Sequence, residues 1–582
     1  MAVATTLHAL VLAPLFLAPT VQAQVAPPVL TPERIEQLAP APSPRLAPSL
    51  RPAVPEPVTG PGAQARVRIG RVRVTGNLSL TEAEILRVVG PLAGQEVPLA
   101  AIEDARRAGR GAGGPAGYPF VTASAGLAPG EAGAELTLSI VEGRIAAVRL
   151  DSDIGPAGTR VLRFLQPLTT SGTVTNAALE RALLLAGDVP GVTIRSVLRP
   201  LQGGEAGALE LVAQVTRRAF SGYFSADNRG YRLTGPVQGL LTVGANSFTE
   251  YGERIEATLF QTQDWEQSLG QVSAEAFVGD SGLRLRGYVG VGRSRPGSFL
   301  AQIGYTGNTQ LAGVAATYPI VRTRPFNLFA AAQFDMLNSE VLVGDPATRQ
   351  SLDEVRAVRL GLEASTLDGL LSFAPGAATT TMTVRLHQGV GWFGGSNTQS
   401  PLPARVSSDF TFAKISAELS RTQPMVRLAD QTVLSLFGQV AGQRSDDVLP
   451  TSEKFLFGGN RLGRGFYAGQ VTGDTAFGAT MELQLDAVLP PVTLPFGETP
   501  TELTPSAQFY LFRDFGRTWE NLASDTGRTV ESWGGGVRLF LTDQVQLDIE
   551  GVRRITRRVD AAGSSVPPLA DTAGFFRLLT RF

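Results

Sequence analysis

Between residues 219 and 582, apolar and polar side chains alternate in segments of roughly ten residues, each ended by Gly, Asn, Asp or Pro. Successive side chains of a strand point to opposite faces, so each segment presents one apolar and one polar surface. In the clearest case Phe477, Ala479, Met481, Leu483, Leu485, Ala487 and Leu489 interleave with Gly478, Thr480, Glu482, Gln484 and Asp486. Leu283, Leu285, Val289 and Val291 likewise oppose Arg284, Arg286 and Tyr288, and Met382, Val384 and Leu386 oppose Thr381, Thr383, Arg385 and His387. Sixteen segments start near Ala219, Val237, Glu253, Ser268, Leu283, Thr309, Phe326, Glu354, Thr379, Ser408, Gln431, Thr475, Pro505, Val530, Gln544 and Ala573. An even number of strands, dry on one face and wet on the other, is the signature of a transmembrane β-barrel. Such a sheet closes on itself because lipid offers no partner to an open edge. A soluble sandwich also alternates, but a sheet of this size would bury its charged residues at a cost. The pattern predicts a transmembrane β-barrel of 16 antiparallel strands over 219–582.

Upstream the periodicity changes. An alternating run over 67–74 predicts a strand, Thr81 and Glu84 have the capping-box spacing that opens a helix, and 99–108 carries apolar residues at helical spacing. Two more alternating runs follow, at 119–127 and 134–141. The order strand, helix, helix, strand, strand then recurs at 144–150, 161–165, 176–185, 192–199 and 208–215. Two small α/β units, 65–142 and 143–218, are therefore expected, each a three-stranded sheet backed by two helices. An edge strand can accept an extended peptide as an additional strand. The candidate edge is Phe120, Val121, Thr122, Ala123, Ser124 and Ala125; two structural spacers are the plainer alternative.

At the amino terminus a nearly unbroken apolar run over 7–20, followed by Val21, Gln22 and Ala23, predicts a secretory signal peptide over 1–23. Residues 24–64 hold eleven prolines and form an extended tether. A short helix is expected within it over 31–38, capped by Thr31 and stopped by Pro40.

Composition removes most chemistry. The chain has no cysteine and two histidines, His8 and His387, so thiolate chemistry is absent, no His or Cys cluster is available for a metal, and a nucleophile–base pair could be built only on His387. That residue falls on a polar strand face beside Arg385, where a lining role is the simpler reading. No phosphate-loop pattern occurs, and a net charge of -1 gives no basic excess for nucleic acid. No catalytic residue, metal or cofactor is assigned. Lysine is nearly absent, Lys414 and Lys454 being the two, so almost every cation is a guanidinium.

The glycine-dense stretch from Phe455 to Phe466 interrupts the alternation and reads as an inward loop within 444–472. Arg464, between Gly463 and Gly465, presents its planar fork with nothing beside it as a shield. Such a guanidinium needs a carboxylate. About fifty residues on, alternation places Phe512, Asp514 and Gly516 on one strand face.

Signal, proline-rich tether, two α/β units and a sixteen-strand barrel with Gly463-Arg464-Gly465-Phe466 in a loop and Phe512-Arg513-Asp514-Phe515-Gly516 on strand thirteen together resemble a known family. It is the B-component transporters of two-partner secretion, of the hemolysin/hemagglutinin secretion-activation type, in the POTRA-plus-barrel outer-membrane superfamily. The resemblance spans essentially the whole mature chain. It implies that 65–142 and 143–218 are POTRA domains, that the loop tip is the family's (V/I)RG(F/Y) motif and that the strand carries its FxDxG motif, with Arg464 paired to Asp514. The carboxy terminus resembles the last strand that marks outer-membrane proteins for insertion, with Phe576, Leu578 and Phe582 on the lipid face. Two departures stand out: Gly463 occupies a position usually β-branched, and the helix at 31–38 is shorter than the one the family commonly threads through the pore.

The function so implied is export of a large β-rich partner of adhesin or hemolysin type from the periplasm to the surface of a Gram-negative cell. Its partners are that unfolded exoprotein, outer-membrane lipids and the barrel-assembly machinery that inserts it, with no nucleotide and no nucleic acid. The rivals are a barrel-assembly factor and, from a different class, a passive diffusion porin, which leaves the two small units without a task.

Overall fold

The structure, a computed structural model, describes residues 31, 39, 65–76, 79–111, 117–371, 376–398, 400–494, 501–559 and 567–582. The signal peptide, most of the tether and, apart from Thr31, the helix expected over 31–38 lie outside them.

The first unit runs β1 (Arg66–Thr75), α1 (Glu82–Val89), β2 (Glu96–Pro98), α2 (Leu99–Gly111), β3 (Val121–Ala128) and β4 (Ala134–Glu142). Helix α1 starts as its sequence dictates: the Thr81 hydroxyl accepts from the Glu84 amide while the Glu84 carboxylate accepts from the Thr81 amide. The sheet order is β2-β1-β4-β3, so this unit has four strands and not the expected three. The extra strand β2 is three residues long, too short to show an alternation, and it pairs with the start of β1. Its register sets Arg66 against Pro98, Val67 against Val97 and Arg68 against Glu96. Strand β3 is the opposite edge: Val121 and Ala123 face the core, while Thr122 and Ser124 are exposed. Phe120 does not belong to that edge. It precedes β3, and its side chain packs against the apolar core of the next unit.

The second unit is β5 (Arg144–Leu150), α3 (Pro156–Leu165), α4 (Asn176–Gly187), β6 (Val192–Pro200) and β7 (Ala208–Arg217), with sheet order β5-β7-β6. Helix α3 starts five residues before the expected 161, because Pro156 is already suited to a first helical turn. Glu142 pins the two units together. Its carboxylate, 6% exposed, accepts from the Ser79 amide at 2.9 and 3.0 Å, the Leu80 amide at 3.0 Å and the Thr173 hydroxyl at 2.9 Å.

The barrel begins with β8 (Phe220–Asp227), β9 (Gln238–Asn246), β10 (Arg254–Thr262), β11 (Gln267–Val278) and β12 (Leu283–Ser294). It continues through β13 (Thr306–Arg322), β14 (Phe326–Val343), β15 (Thr348–Asp368), β16 (Ala378–Gly389), β17 (Ala413–Ala429) and β18 (Thr432–Ser445). A short hairpin, β19 (Phe455–Phe457) and β20 (Val471–Gly473), interrupts it before β21 (Thr475–Val488). After a second hairpin, β22 (Val492–Leu494) and β23 (Thr501–Leu503), come β24 (Ser506–Trp519), β25 (Thr529–Phe540), β26 (Val545–Arg554) and β27 (Thr572–Arg581). Sixteen of these strands form one closed antiparallel barrel, sealed by β27 pairing with β8. The terminal residue completes the seam: the Phe582 amide donates to the Gly222 carbonyl at 3.0 Å, and the Gly222 amide to the Phe582 carbonyl at 2.9 Å.

Faces follow the alternation. Met481 and Leu483 are exposed on the outer wall, whereas Glu482 and Gln484 are buried inside. Phe576 and Phe582 are exposed and Leu578 is half-buried, while Phe575 and Leu579, at the alternate positions, point inward. Two strand starts depart most from expectation. Strand β15 begins at Thr348 and not near Glu354, since its first residues are polar and extend past the apolar band. Strand β17 begins at Ala413 and not near Ser408, because Phe410 and Phe412 belong to a loop that packs inward.

The second unit is fastened under the barrel. Arg322 holds Asp188 through two bonds of 2.8 and 2.9 Å, the Arg324 amide donates to Glu180 at 2.6 Å, and Arg163 meets Glu250 at 2.6 Å. Phe277 of β11 enters the unit's own core, with its ring edge-on to Phe164 at 5.2 Å.

Against the cost of burial, the hydrogen bonds from Ser79, Leu80 and Thr173 hold the Glu142 carboxyl below its ordinary 4.5. A depressed carboxylate contributes stability that is present above its unfolded value and is lost as pH falls through its folded value. Acidification below about pH 4, or Glu142→Ala at neutral pH, is therefore expected to broaden spin-label distances between the two units. Distances unchanged in both cases would place the joint's rigidity elsewhere.

Candidate functional site

The loop 446–474 turns back into the barrel, and its hairpin of β19 and β20 carries the glycine-rich tip inside the wall. Glycines fix it there in two ways. Gly463 has φ +72°, a left-handed conformation that a β-branched residue would resist, which accounts for the glycine at this position. Gly478 and Gly516, paired across β21 and β24, leave the space that the Phe457 ring fills; a Cβ at Gly516 would lie 2.7 Å from that ring. Phe466 is fully buried with Phe457, Leu462 and Val530.

Arg464 is buried against the wall. Its backbone amide donates to Asp514 at 2.6 Å and its Nη2 lies 3.4 Å from the same carboxylate. Nη1 forms an ion pair with Glu482, Nη2 donates to the Thr480 hydroxyl at 3.1 Å, and the guanidinium stacks 3.7 Å from the Phe512 ring. The expected residues thus come together, Phe512 as a stacking floor, Asp514 as an acceptor and Gly516 as a recess. Asp514 is not the sole partner. Glu482 is shared with Arg538, whose Nη1 lies 2.6 Å away, and Glu550 accepts from Tyr510 at 2.8 Å while pairing with Arg229. Arg229 in turn donates to the Arg464 carbonyl, so the tip is gripped by side chain and backbone alike.

The base of the loop has its own anchor. Glu453 meets Arg359 of β15 at 2.7 Å and Lys414 of β17 at 2.8 Å, and Arg359 also holds Asp335 of β14 at 2.6 Å. Thr31, the described residue of the expected 31–38 helix, is buried in the lumen beside Tyr288, Asp335, Arg359 and Glu453. His387 is also buried, with its ring 2.8 Å from the Ser416 hydroxyl. Sequence reading missed Glu482, Glu550, Arg229 and Arg538. The available signal was weak: Glu482 and Arg538 hold polar positions on β21 and β25, which flank β24, Glu550 holds one on β26, and Arg229 follows β8, places that many other residues share.

Residues 207–539 match the family model for haemolysin secretion/activation proteins ShlB/FhaC/HecB. The chain belongs to this family. A curated relative is the heme/hemopexin transporter protein HuxB of Haemophilus influenzae (strain 86-028NP), 20% identical over 439 residues, covering 73% of this chain and 72% of the relative. Among solved structures, CdiB from Escherichia coli matches with TM-score 0.67 and 16% identity, covering 94% of this chain and 95% of the other. CdiB from Acinetobacter baumannii matches with TM-score 0.60 and 16% identity, covering 92% and 95%. The protein is thus a two-partner secretion transporter of the outer membrane, with its POTRA units in the periplasm and a secreted exoprotein as partner.

Removing one partner of a buried, hydrogen-bonded ion pair costs about 3 to 5 kcal/mol. Glu482→Ala is accordingly expected to loosen the loop as much as Asp514→Ala does, read as lost hydrogen-exchange protection over the 455–473 hairpin in detergent-solubilised protein. Protection retained in Glu482→Ala and lost in Asp514→Ala would leave the aspartate as the residue that holds the arginine.

Proposed function

We propose that this transporter exports one large, β-rich partner of adhesin or hemolysin type, and that the docked loop tip of Gly463, Arg464, Gly465 and Phe466 keeps the barrel competent for its passage. The observation that carries the reading is the burial of Arg464 among Asp514, Glu482 and Thr480, contacts that fix the position of the loop against the barrel wall. The unfolded client first meets the periplasmic units, where the open edge of β3, Val121 to Ala125 in the main, receives it as an added strand. Main-chain bonds supply affinity there with little demand on sequence. Arg106 of α2 donates to the Ala123 carbonyl at 3.2 Å, so the incoming strand displaces this side chain from one of the edge's acceptors.

The client then threads the polar lumen, and its folding outside supplies direction without nucleotide or enzymatic chemistry. Thr31 is buried in that lumen beside Arg359 and Glu453, on the path the client takes. Phe576, Leu578 and Phe582 on the last strand serve recognition by the barrel-assembly machinery and contact with lipid.

Comparing supernatant and outer-membrane proteomes of the source bacterium with and without the gene tests the reading. Loss of one large secreted protein, with the membrane unchanged, is expected; depletion of many barrels would identify an assembly factor, and no change would identify a simple pore. Arg464→Ala and Asp514→Ala are each expected to abolish export while the barrel still inserts, and normal export by both would remove the proposed role of the tip.

A further inference from the structure

A second ionic site lies at the end of the barrel away from the POTRA units. Arg405, in the 390–412 loop between β16 and β17, is 1% exposed although it sits on a connecting loop. Its Nη1 lies 2.6 Å from Asp474 and 2.9 Å from the Leu449 carbonyl, both in the β18–β21 loop. Its Nη2 lies 2.9 Å from Asp474 and 3.0 Å from Glu520, and its Nε lies 3.0 Å from Asp525, the last two in the β24–β25 loop. These contacts use all the donor directions of a guanidinium fork. Lys454, also nearly buried, completes the group at 2.9 Å from Glu520. The cluster is knitted to the backbone as well: the Asn521 amide donates to Asp474 at 2.8 Å, and the Asn521 side chain donates to the Ser445 and Asp447 carbonyls at 2.9 and 2.6 Å.

Directly associated with it is an apolar layer. Leu449, Phe410 and Phe412 are fully buried and cluster with inward-facing Leu240, Phe260 and Leu311 from β9, β10 and β13. Three loops are therefore drawn together by charge, and two of them, β16–β17 and β18–β21, pack against the lumen wall by apolar contact. The two forces differ in what they cost to undo. Separating the apolar layer exposes it to water at a net cost, whereas separating the ions returns five charges to water, and their rehydration offsets much of the lost attraction. An ionic fastening at the outer mouth holds one geometry yet opens without an energy source.

We propose that Arg405 is the positioning residue of an outer clasp that holds the β16–β17, β18–β21 and β24–β25 loops closed, and that the exported client leaves by parting them. The charge count supports a poised fastening: two cations face Asp474, Asp525 and Glu520, and burial pushes the Glu520 carboxyl up to about 7. Lys454, Arg405 and Asp474 are the charged groups that act on it. Only the exit route, and not the clasp itself, rests on the export reading.

The test uses the full-length protein, whose natural lack of cysteine leaves introduced thiols unambiguous. In planar bilayers in potassium chloride, Arg405→Ala is expected to raise open-state residence about tenfold or more, with the barrel still heat-modifiable. The Asp409 amide donates to the Val448 carbonyl at 2.8 Å, so these two positions are adjacent and suit a disulfide between the first two loops. The Asp409→Cys, Val448→Cys pair is expected to block export of the identified partner when oxidised, with reductant restoring it. Unchanged conductance of a folded Arg405→Ala protein overturns the role of the arginine. Export by the oxidised pair at the wild-type rate overturns the exit route. Should Arg405→Ala fail to fold, the cysteine pair decides alone through oxidised and reduced conductance. Absence of an exported partner in wild-type cells would refute the export reading instead, and the conductance comparison would still decide the clasp.

Discussion

In a bilayer no backbone amide or carbonyl can be left without a partner, and the closed ladder from β8 round to β27 meets that constraint. The rest of the architecture follows from it. Closure leaves an outer surface that lipid can cover with Met481, Leu483 and Phe576, and an inner surface where polar residues must find one another. The carboxy-terminal phenylalanine is part of this solution, because Phe582 exchanges two backbone bonds with Gly222 at the seam. A barrel whose seam pairs β27 with β8 cannot complete its hydrogen bonding until β27 is in place.

The inner surface is organised by guanidinium groups. Lysine contributes two residues to the whole chain, and arginine supplies the remaining fixed positive charge. A planar fork with five donors can hold several acceptors at fixed angles where an ammonium offers a compact point charge. Arg464 ties a loop tip to Asp514, Glu482 and Thr480; Arg359 ties strand to loop base; Arg322 ties POTRA unit to barrel; Arg405 ties three loops. Each of these connects segments far apart in sequence. Cutting any one leaves a buried carboxylate uncompensated, so loss of the residue costs more than the pair itself contributes.

The strand ladder was legible because alternation is a local property, repeated many times, and one misplaced boundary does not disturb the rest. The loop tip was legible for a different reason: Arg464 between glycines and the Phe512, Asp514, Gly516 face are short patterns with a physical rationale each. What the pattern could not show is which of many inward polar residues meet. Glu482 sits beside Phe512 across the β21–β24 ladder, but choosing it over Gln484 or Asp486 requires the register and the depth to which the loop descends. Phe120 is a similar case, its alternation continuing that of β3 although its side chain packs against the core of the second unit. Strand β2 and the polar start of β15 carry too little apolar contrast to register at all.

Fixed and releasable contacts are distributed along the path. At the entrance, the POTRA unit is fastened by a bidentate ion pair together with Phe277 inserted in its core, a combination in which apolar burial opposes release. Midway, Arg464 stacks on Phe512 and is held through side chain, amide and carbonyl, so moving it requires several bonds to break together. At the outer mouth, Arg405 and its carboxylates are as deeply buried as the Arg464 site, and every guanidinium donor is engaged. In the proposed clasp the ions regain hydration as the loops part, which offsets some of the lost attraction, whereas exposing Phe277 and the core around it has no such offset.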